Sequence, residues 1–171
     1  KTSGDFFSVL SRVASGTANE IRGNTSITTA AWHHFVAVST GSAWVLYVDG
    51  TAQTLTTVAG SNTGDWFGDF TGTAWRFGLI QGSATNMDGR LDEVGIWSTQ
   101  LTSANVTTLY NAGTGLLYEQ ARLISGLVHY WSCSQNHGGQ GADRLGGVTM
   151  TVTEIAHDEV GITAGSEYEA Y

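Results

Sequence analysis

The chain has 171 residues, of which 41% are hydrophobic, only 13% are charged and 23 are glycines. This length and hydrophobic content can bury the core of one domain, or of one domain with part of another, but not of two full domains. The formal net charge of −8, with no cluster of Lys or Arg, argues against a nucleic-acid partner.

Targeting and cysteine signals are sparse. No apolar run approaches the ~18 residues that a membrane-spanning helix needs, so we expect no membrane span. The sequence starts at Lys1 without an initiator Met or an apolar leader core, and we expect a leader or an upstream segment to have been removed. The single cysteine, Cys133, excludes an internal disulfide and a Cys-based zinc site, and we expect it to be buried as a small hydrophobic residue.

Short apolar or alternating runs separated by Gly, Asn, Asp and Ser clusters predict an all-β sandwich or barrel. The clearest unit is a hairpin within residues 32–52, whose second run is apolar on both faces and is therefore predicted to be a central strand. Asp49-Gly50 supplies the two left-handed positions of a type I′ turn, after which residues 51–58 are expected to return as a Thr-rich strand.

The remainder of the chain contains one predicted helix among further strands. Residues 60–72 are rich in Gly, Asp and aromatic residues and predict a long irregular loop. The helix is expected over residues 102–111, with Thr102 as its N-cap and Gly113 as the glycine that stops it. Further strands are predicted over residues 73–80, 90–97, 127–131 and 148–155.

Two stretches carry a family resemblance. AAWHHFVAVSTGSAWVLYVDGT, followed by NMDGRLDEVGIWSTQLTSANVTTLYNAGTG, resembles the second half of laminin G-like, concanavalin A-like jelly rolls. The Trp-His-His strand, the Leu-Tyr-Val-Asp-Gly hairpin, and the Asp-Glu-Val strand leading into a short helix recur in the family's order. The resemblance implies an antiparallel jelly-roll β-sandwich with one short helix.

The order of the resembling segments is inverted. Residues 1–118 resemble the later two thirds of a laminin G-like module, whereas residues 119–171, which include GLVHYW and VTMTVTE, resemble the opening of one. A circularly permuted sandwich, whose tail takes the first-strand position, is our preferred interpretation, since the termini of domains often lie close together. A segment cut from a tandem array, or tail strands exchanged between subunits, would produce the same order.

The carboxylates do not predict glycoside hydrolysis. That reaction needs two facing carboxyl groups about 5 to 9.5 Å apart. Asp92 and Glu93 are neighbours and would point to opposite faces of a strand, and Asp88 lies four residues before Asp92 with a Gly between them. We expect no catalytic residues, and we expect Asp92 or Glu93 to hydrogen-bond a loop or a backbone N–H at the sheet edge.

A calcium ion and a glycan are the ligands that we expect, both in the loop of residues 60–72. The resemblance implies calcium, because many modules of this kind hold Ca²⁺ in loops at the rim of the sandwich, and Asp65 and Asp69 are the candidate oxygen donors. Trp66 and Phe67, with Asn62 nearby, are the candidate glycan-binding residues, since an aromatic ring beside polar side chains can stack on a sugar.

The histidines do not predict a metal site. His33 and His34 are adjacent in a strand and face opposite ways, so we expect packing and hydrogen-bonding roles for Trp32 and one of the two histidines. His129, His137 and His157 show no ligand spacing.

The resulting prediction is a non-catalytic recognition or adhesion module that binds glycans or cell-surface receptors within an extracellular or particle-surface assembly. A structural class is the alternative: a virion decoration, head-fibre or tail-fibre subunit, or an extracellular filament subunit, that self-associates through its tail strands. The fold alone does not decide between them, because the same sandwich hosts unrelated functions.

Overall fold

A computed structural model of the protein describes residues 6–12, 18–28, 31–65, 77, 89–133 and 142–146. These residues belong to two compact units. The first lies within Lys1–Thr73 and Gln100–Leu116, and the second lies within Ala74–Thr99 and Leu117–Tyr171. The strands predicted over residues 73–80 and 148–155 lie outside the described residues, apart from Phe77.

The first unit contains two antiparallel three-stranded sheets. One has the order β1-β2-β6, formed by β1 (Ser8–Arg12), β2 (Ala18–Gly23) and β6 (Leu55–Ala59). The other has the order β3-β4-β5, formed by β3 (Phe35–Ser39), β4 (Trp44–Val48) and β5 (Thr51–Ala52). The predicted hairpin is confirmed, and β4 is the central strand of its sheet.

The two sheets pack through alternate residues, as a sandwich requires. Trp44, Leu46 and Val48 of β4 are buried, whereas Val45 and Tyr47 on its other face are only half-buried. Trp44 and Leu46 pack with Ile21 of β2 at the centre of the core, and Phe7, Val9, Ala37 and Leu55 surround them. Trp44 and Leu46 of β4 therefore hold the two sheets together.

The chain crosses from one sheet to the other between β5 and β6, so the prediction of one continuous strand over residues 51–58 is wrong. The Gln53 N–H donates to the Leu46 carbonyl in one sheet (2.8 Å), and the Thr54 carbonyl accepts the Asn24 N–H beside the other (2.9 Å). The Asp49-Gly50 turn before β5 has the predicted geometry, with φ values of +50° and +74°.

The second unit contains the two-stranded antiparallel sheet of β7 (Val94–Trp97) and β8 (Leu127–Trp131). The predicted bounds of β8 are confirmed. The strand predicted over residues 90–97 starts only at Val94, because Glu93 has a φ of +51° and cannot continue an extended strand.

Helix α1 (Ser103–Tyr110) begins at the predicted N-cap, Thr102, whose hydroxyl accepts the Asn105 N–H at 3.1 Å. It ends earlier than the glycine signal predicts, because Asn111 takes the left-handed position (φ +47°) and a short 3₁₀ turn, Asn111–Gly113, follows. A second, one-turn helix α2 (Tyr118–Ala121) in the second unit was not predicted. No helix among the described residues combines the length and apolar character needed to cross a bilayer.

Candidate functional site

The base of the predicted binding loop is joined to β4 by Asn62. Its side-chain Oδ1 accepts the Trp44 N–H at 2.6 Å, and its Nδ2 donates to the Trp44 carbonyl at 3.2 Å. The amide group thus pairs with both backbone groups of Trp44, as a neighbouring strand would. Asn62, predicted as a ligand contact, is used in this structure to position the loop.

Two further contacts fix the same end of the loop. Gly64 is buried with a φ of +64°, and its carbonyl accepts a hydrogen bond from the Ser39 hydroxyl. Asp65 Oδ2 lies 3.4 Å from both the Ser11 hydroxyl and the Asn19 amide nitrogen. Residues 62–65 are therefore held by both sheets of the first unit.

The other predicted ligand residues, Trp66, Phe67 and Asp69, lie outside the described residues. Among the residues that are described, no three His, Cys, Asp or Glu side chains gather as a metal-binding group. A Ca²⁺ ion takes about six to eight oxygen ligands. Asp65 contributes one carboxylate beside the Ser11 hydroxyl, which are oxygen donors of the type that calcium binds but too few to hold the ion.

The adjacent histidines meet a single carboxylate, that of Asp49. Its Oδ2 lies 2.8 Å from His33 Nδ1, and its Oδ1 accepts the His34 N–H at 2.9 Å. The other ring nitrogen of His33 lies 3.0 Å from the Thr28 hydroxyl. This arrangement, which we call the first His–Asp clamp (Thr28, His33, His34 and Asp49), confirms the hydrogen-bonding role expected of one histidine.

The clamp changes the acid–base properties of its members. Burial alone would raise the pKa of Asp49, but the hydrogen bonds from His33 and from the His34 N–H outweigh it, and the pKa lies below its usual value. Burial lowers the pKa of His34, and the nearby Asp49 carboxylate opposes this only in part. His34 is therefore a neutral packing residue whose ring lies 6.0 Å from that of Tyr110.

Trp32 differs from the expectation of a packing residue, since 64% of its surface is exposed. It directly precedes the two histidines. The residues that follow it are fixed by the clamp, so that its backbone is held in place although its ring is not buried.

A second His–Asp clamp, which the sequence spacing did not reveal, lies in the second unit. Asp143 Oδ2 lies 2.7 Å from His129 Nδ1, and its Oδ1 accepts the Tyr130 N–H at 3.0 Å. In both clamps one carboxylate binds a histidine ring and the N–H of the next residue, directly before β3 in the first clamp and within β8 in the second. The shared signal in the sequence is a histidine before or within a strand, followed 14 to 16 residues later by an Asp at the start of a turn.

The carboxyl groups of Asp92 and Glu93 are engaged within the second unit. Asp92 accepts the Glu93 N–H at 2.9 Å, and Glu93 accepts a hydrogen bond from the Tyr130 hydroxyl. Burial, with a contribution from the Asp92 charge, raises the pKa of Glu93 despite the opposing effects of Tyr130 and Arg144. Burial likewise raises the pKa of Tyr130. These contacts are structural hydrogen bonds of the kind expected for this stretch; Asp88 lies outside the described residues.

One of three comparisons with known proteins identifies the family of the chain. A family model described as the concanavalin A-like lectin/glucanases superfamily, of laminin G type, matches residues 2–107, which is more than half of the chain. A search of curated proteins and a search of solved structures returned no match. The family match agrees with the antiparallel sheets and few helices of the structure and confirms the predicted jelly-roll β-sandwich class. The chain therefore belongs to the concanavalin A-like lectin/glucanases superfamily.

Proposed function

We propose that this protein is a non-catalytic recognition module that binds glycans through the loop of residues 60–72. The superfamily to which it belongs is named for lectins and glucanases. Of these two classes, the lectin class suits the described carboxylates better, because Asp92 and Glu93 are adjacent in sequence and each already accepts a hydrogen bond from the protein.

The anchored base of the loop carries this proposal. Asn62 pairs with the backbone of Trp44, Gly64 binds Ser39, and Asp65 meets Ser11 and Asn19. A ligand loop that starts from a fixed base loses less conformational entropy on binding than a free one. The sequence directly after this base supplies two aromatic residues, Trp66 and Phe67, as candidate stacking surfaces.

Calcium is part of the proposal. Asp65, together with Asp69 four residues later, would hold the ion and stiffen the loop through oxygen ligands. Calcium should then raise the melting temperature of the wild-type chain, and EDTA should reverse the increase. In Asp65→Asn, calcium should raise the melting temperature by less than in the wild type. An equal increase in the variant and the wild type would show that Asp65 does not bind the ion.

The glycan proposal is tested by a glycan array followed by titration calorimetry on the best ligand. We expect the double variant Trp66→Ala/Phe67→Ala to lose at least about tenfold in affinity, as is common for aromatic binding residues. Leu123→Ala is the matched control, since it removes an exposed apolar side chain in the other unit. No binding by the wild-type chain, or full binding by the double variant, would contradict the proposal.

A structural assembly role is the second candidate, for a chain displayed on an extracellular or particle surface. Leu117 and Leu123 flank helix α2 and are 66% and 76% exposed, so two large apolar side chains near each other in sequence face solvent. The mass of the native particle, measured by light scattering with and without EDTA, separates the two candidates. A calcium-independent oligomer that dissociates in Leu117→Ser/Leu123→Ser supports assembly, and a monomer supports recognition.

A further inference from the structure

Trp32 is unusual among the described residues because it is a large aromatic side chain left in solvent. The large apolar side chains that are exposed in this part of the chain are Leu10, Trp32, Val58, Leu117, Leu123, Val128 and Leu145, and Trp32 is the one aromatic residue in this set. A tryptophan normally buries about 150–250 Å² and gains stability by doing so. At 64% exposure, Trp32 keeps most of its surface available for a ligand.

The backbone that carries Trp32 is fixed. The His33 ring lies between Asp49 Oδ2 (2.8 Å) and the Thr28 hydroxyl (3.0 Å). The His34 N–H donates to Asp49 Oδ1, and the His34 carbonyl accepts the Asp49 N–H at 2.9 Å. A contact residue on such a backbone requires little further ordering when it binds, which favours affinity.

Trp32 and the described base of the loop, residues 60–65, lie at different ends of the β3–β4 hairpin. Strands β3 and β4 are antiparallel with Phe35 opposite Val48, so Trp32 and the Asp49-Gly50 turn lie at one end of this hairpin. The loop base is attached to Ser39 and Trp44, at the opposite end. The ends of β3 are roughly 13 Å apart at about 3.3 Å per residue.

The surroundings of Trp32 suggest the chemistry of the ligand. Thr28 is exposed, and the Asp49 side chain remains 35% exposed although it binds His33 and His34. A carboxylate has about four acceptor positions, which leaves room for a hydroxyl or ammonium donor. An exposed indole, on the residue before a histidine that binds these oxygens, matches a sugar ring, which has an apolar C–H face and hydroxyl donors.

We propose that Trp32 is the stacking platform of a second glycan contact, with Thr28 and Asp49 as its polar neighbours. The inference rests on the proposed glycan-binding function and adds a separate site. The ligand is an uncharged or amino sugar, because the Asp49 carboxylate and the net charge of −8 repel sialylated, uronic or sulfated glycans.

The test uses the full chain and a panel of neutral, amino, sialylated and sulfated oligosaccharides, with affinities measured by calorimetry. We expect Trp32→Ala to weaken binding of the neutral or amino sugars by at least about tenfold, and Trp32→Phe to retain part of the affinity. Val58→Ala is the control, since Val58 is an exposed apolar residue on β6 of the same unit. An unchanged melting temperature of Trp32→Ala shows that the effect is not one of folding.

The outcomes distinguish this inference from the proposed function. If Trp32→Ala binds like the wild type while Trp66→Ala/Phe67→Ala does not, the Trp32 site is wrong and the glycan-binding function stands. If the wild-type chain binds no oligosaccharide, both are wrong. A Lys-rich peptide is tested in the same way. If Trp32→Ala loses binding to this peptide but keeps the wild-type affinity for every sugar, Trp32 contacts a cationic protein partner and the inference is wrong.

Discussion

Asp49 links the turn after β4 to the residues before β3. The Asp-Gly pair predicts the turn, and its φ of +50° is one that Asp tolerates better than most residues. The carboxylate then receives His33 and the His34 N–H. One residue therefore shapes the turn and closes the end of the hairpin.

Replacing Asp49 should separate these two roles. Asp49→Ala should lower the free energy of unfolding by about 2 kcal/mol, because it removes both hydrogen bonds and places alanine in a left-handed position. Asp49→Asn should lose less, since asparagine accepts this φ and keeps one acceptor oxygen. Urea unfolding at pH 7 measures both variants. Equal losses would show that neither the acceptor oxygen that asparagine keeps nor its tolerance of this φ contributes to stability.

Glu93 combines a left-handed backbone with a partly buried carboxyl group. Its raised pKa means that the folded state holds the proton more tightly than the unfolded chain, so this group stabilises the fold below its ordinary pKa of 4.5. That stability is lost as the pH rises through the folded-state pKa. The stability of Glu93→Gln, measured relative to the wild type at the same pH, should therefore increase from pH 4 to pH 8.

Thermal unfolding of both proteins between pH 4 and pH 8 gives the difference directly, because the other titrating groups are common to both. Glu93→Ala is the comparison variant: it removes the acceptor of the Tyr130 hydroxyl and should destabilise the protein by about 1–3 kcal/mol. If the stability difference between Glu93→Gln and the wild type stays constant with pH, the pKa of Glu93 is not raised in the folded state.

At the scale of elements, the loop base depends on Gly64. A Cβ atom there would collide with the backbone of Ala43, which cannot move aside as a side chain could. Gly41 has a similar left-handed φ of +82° but faces open space. The two glycines therefore form a matched pair in which only one has a steric requirement.

We expect Gly41→Ala to lower the free energy of unfolding by about 1 kcal/mol, from backbone strain alone. Gly64→Ala should cost at least about 2 kcal/mol more and should weaken any ligand that the loop binds. Chemical denaturation of the two variants tests this directly, and equal stability of the two would show that the loop base is not closely packed against Ala43.

The two His–Asp clamps make the start of β3 and the second half of β8 sensitive to acid. Hydrogen bonds hold the pKa values of Asp49 and Asp143 below the ordinary value of 3.8, although burial opposes the effect. Their contribution is complete above that value and is lost as the pH falls through the lowered values. His34, whose pKa is also lowered, adds a loss that begins as the pH falls below 6.5.

The double variant Asp49→Asn/Asp143→Asn should start less stable at pH 7 and lose less stability than the wild type between pH 4 and pH 2. Unfolding by urea across this range provides the measurement. Glu119→Gln, which removes an exposed carboxyl group outside both clamps, serves as the control. Parallel pH profiles for the double variant and the wild type would exclude the clamps as the source of acid sensitivity.

Local signals predicted the elements that depend on local residues. The β3–β4 hairpin, β8 and the N-terminus of α1 follow from alternation, the Asp-Gly turn and the Thr102 cap. The break between β5 and β6 was missed because it depends on Leu46 in one sheet and on Asn24, which directly follows β2 of the other. The role of Asn62 was missed for the same reason, since its partner Trp44 lies 18 residues away in the chain.

At the scale of the whole molecule, the pairing of β7 with β8 joins the two segments that the sequence sets apart. β7 lies within residues 1–118 and β8 within residues 119–171, and both belong to the second unit. The Tyr130–Glu93 hydrogen bond crosses the same pair of strands. This pairing is what a permuted sandwich would require, and the domain assignment itself stays a prediction.

Deleting residues 119–171 should expose the hydrogen-bonding edge of β7 that β8 covers, and an exposed edge promotes association. We expect the truncated chain to aggregate or to unfold at a lower temperature than the full chain, as measured by light scattering during heating. A truncated chain that remains monomeric with an unchanged melting temperature would show that β8 is not required and would favour the tandem-array interpretation.

Cys133 lies two residues after the end of β8 and has a φ of +50°. Burial, with a smaller contribution from the carboxylates of Asp92 and Glu93, raises the pKa of its thiol to about 12. Because only the thiolate reacts, alkylating reagents and mild oxidants should modify the folded protein very slowly. The single thiol is thus a built-in probe: its rate of labelling, compared with that of the unfolded chain, reports how often this end of β8 opens.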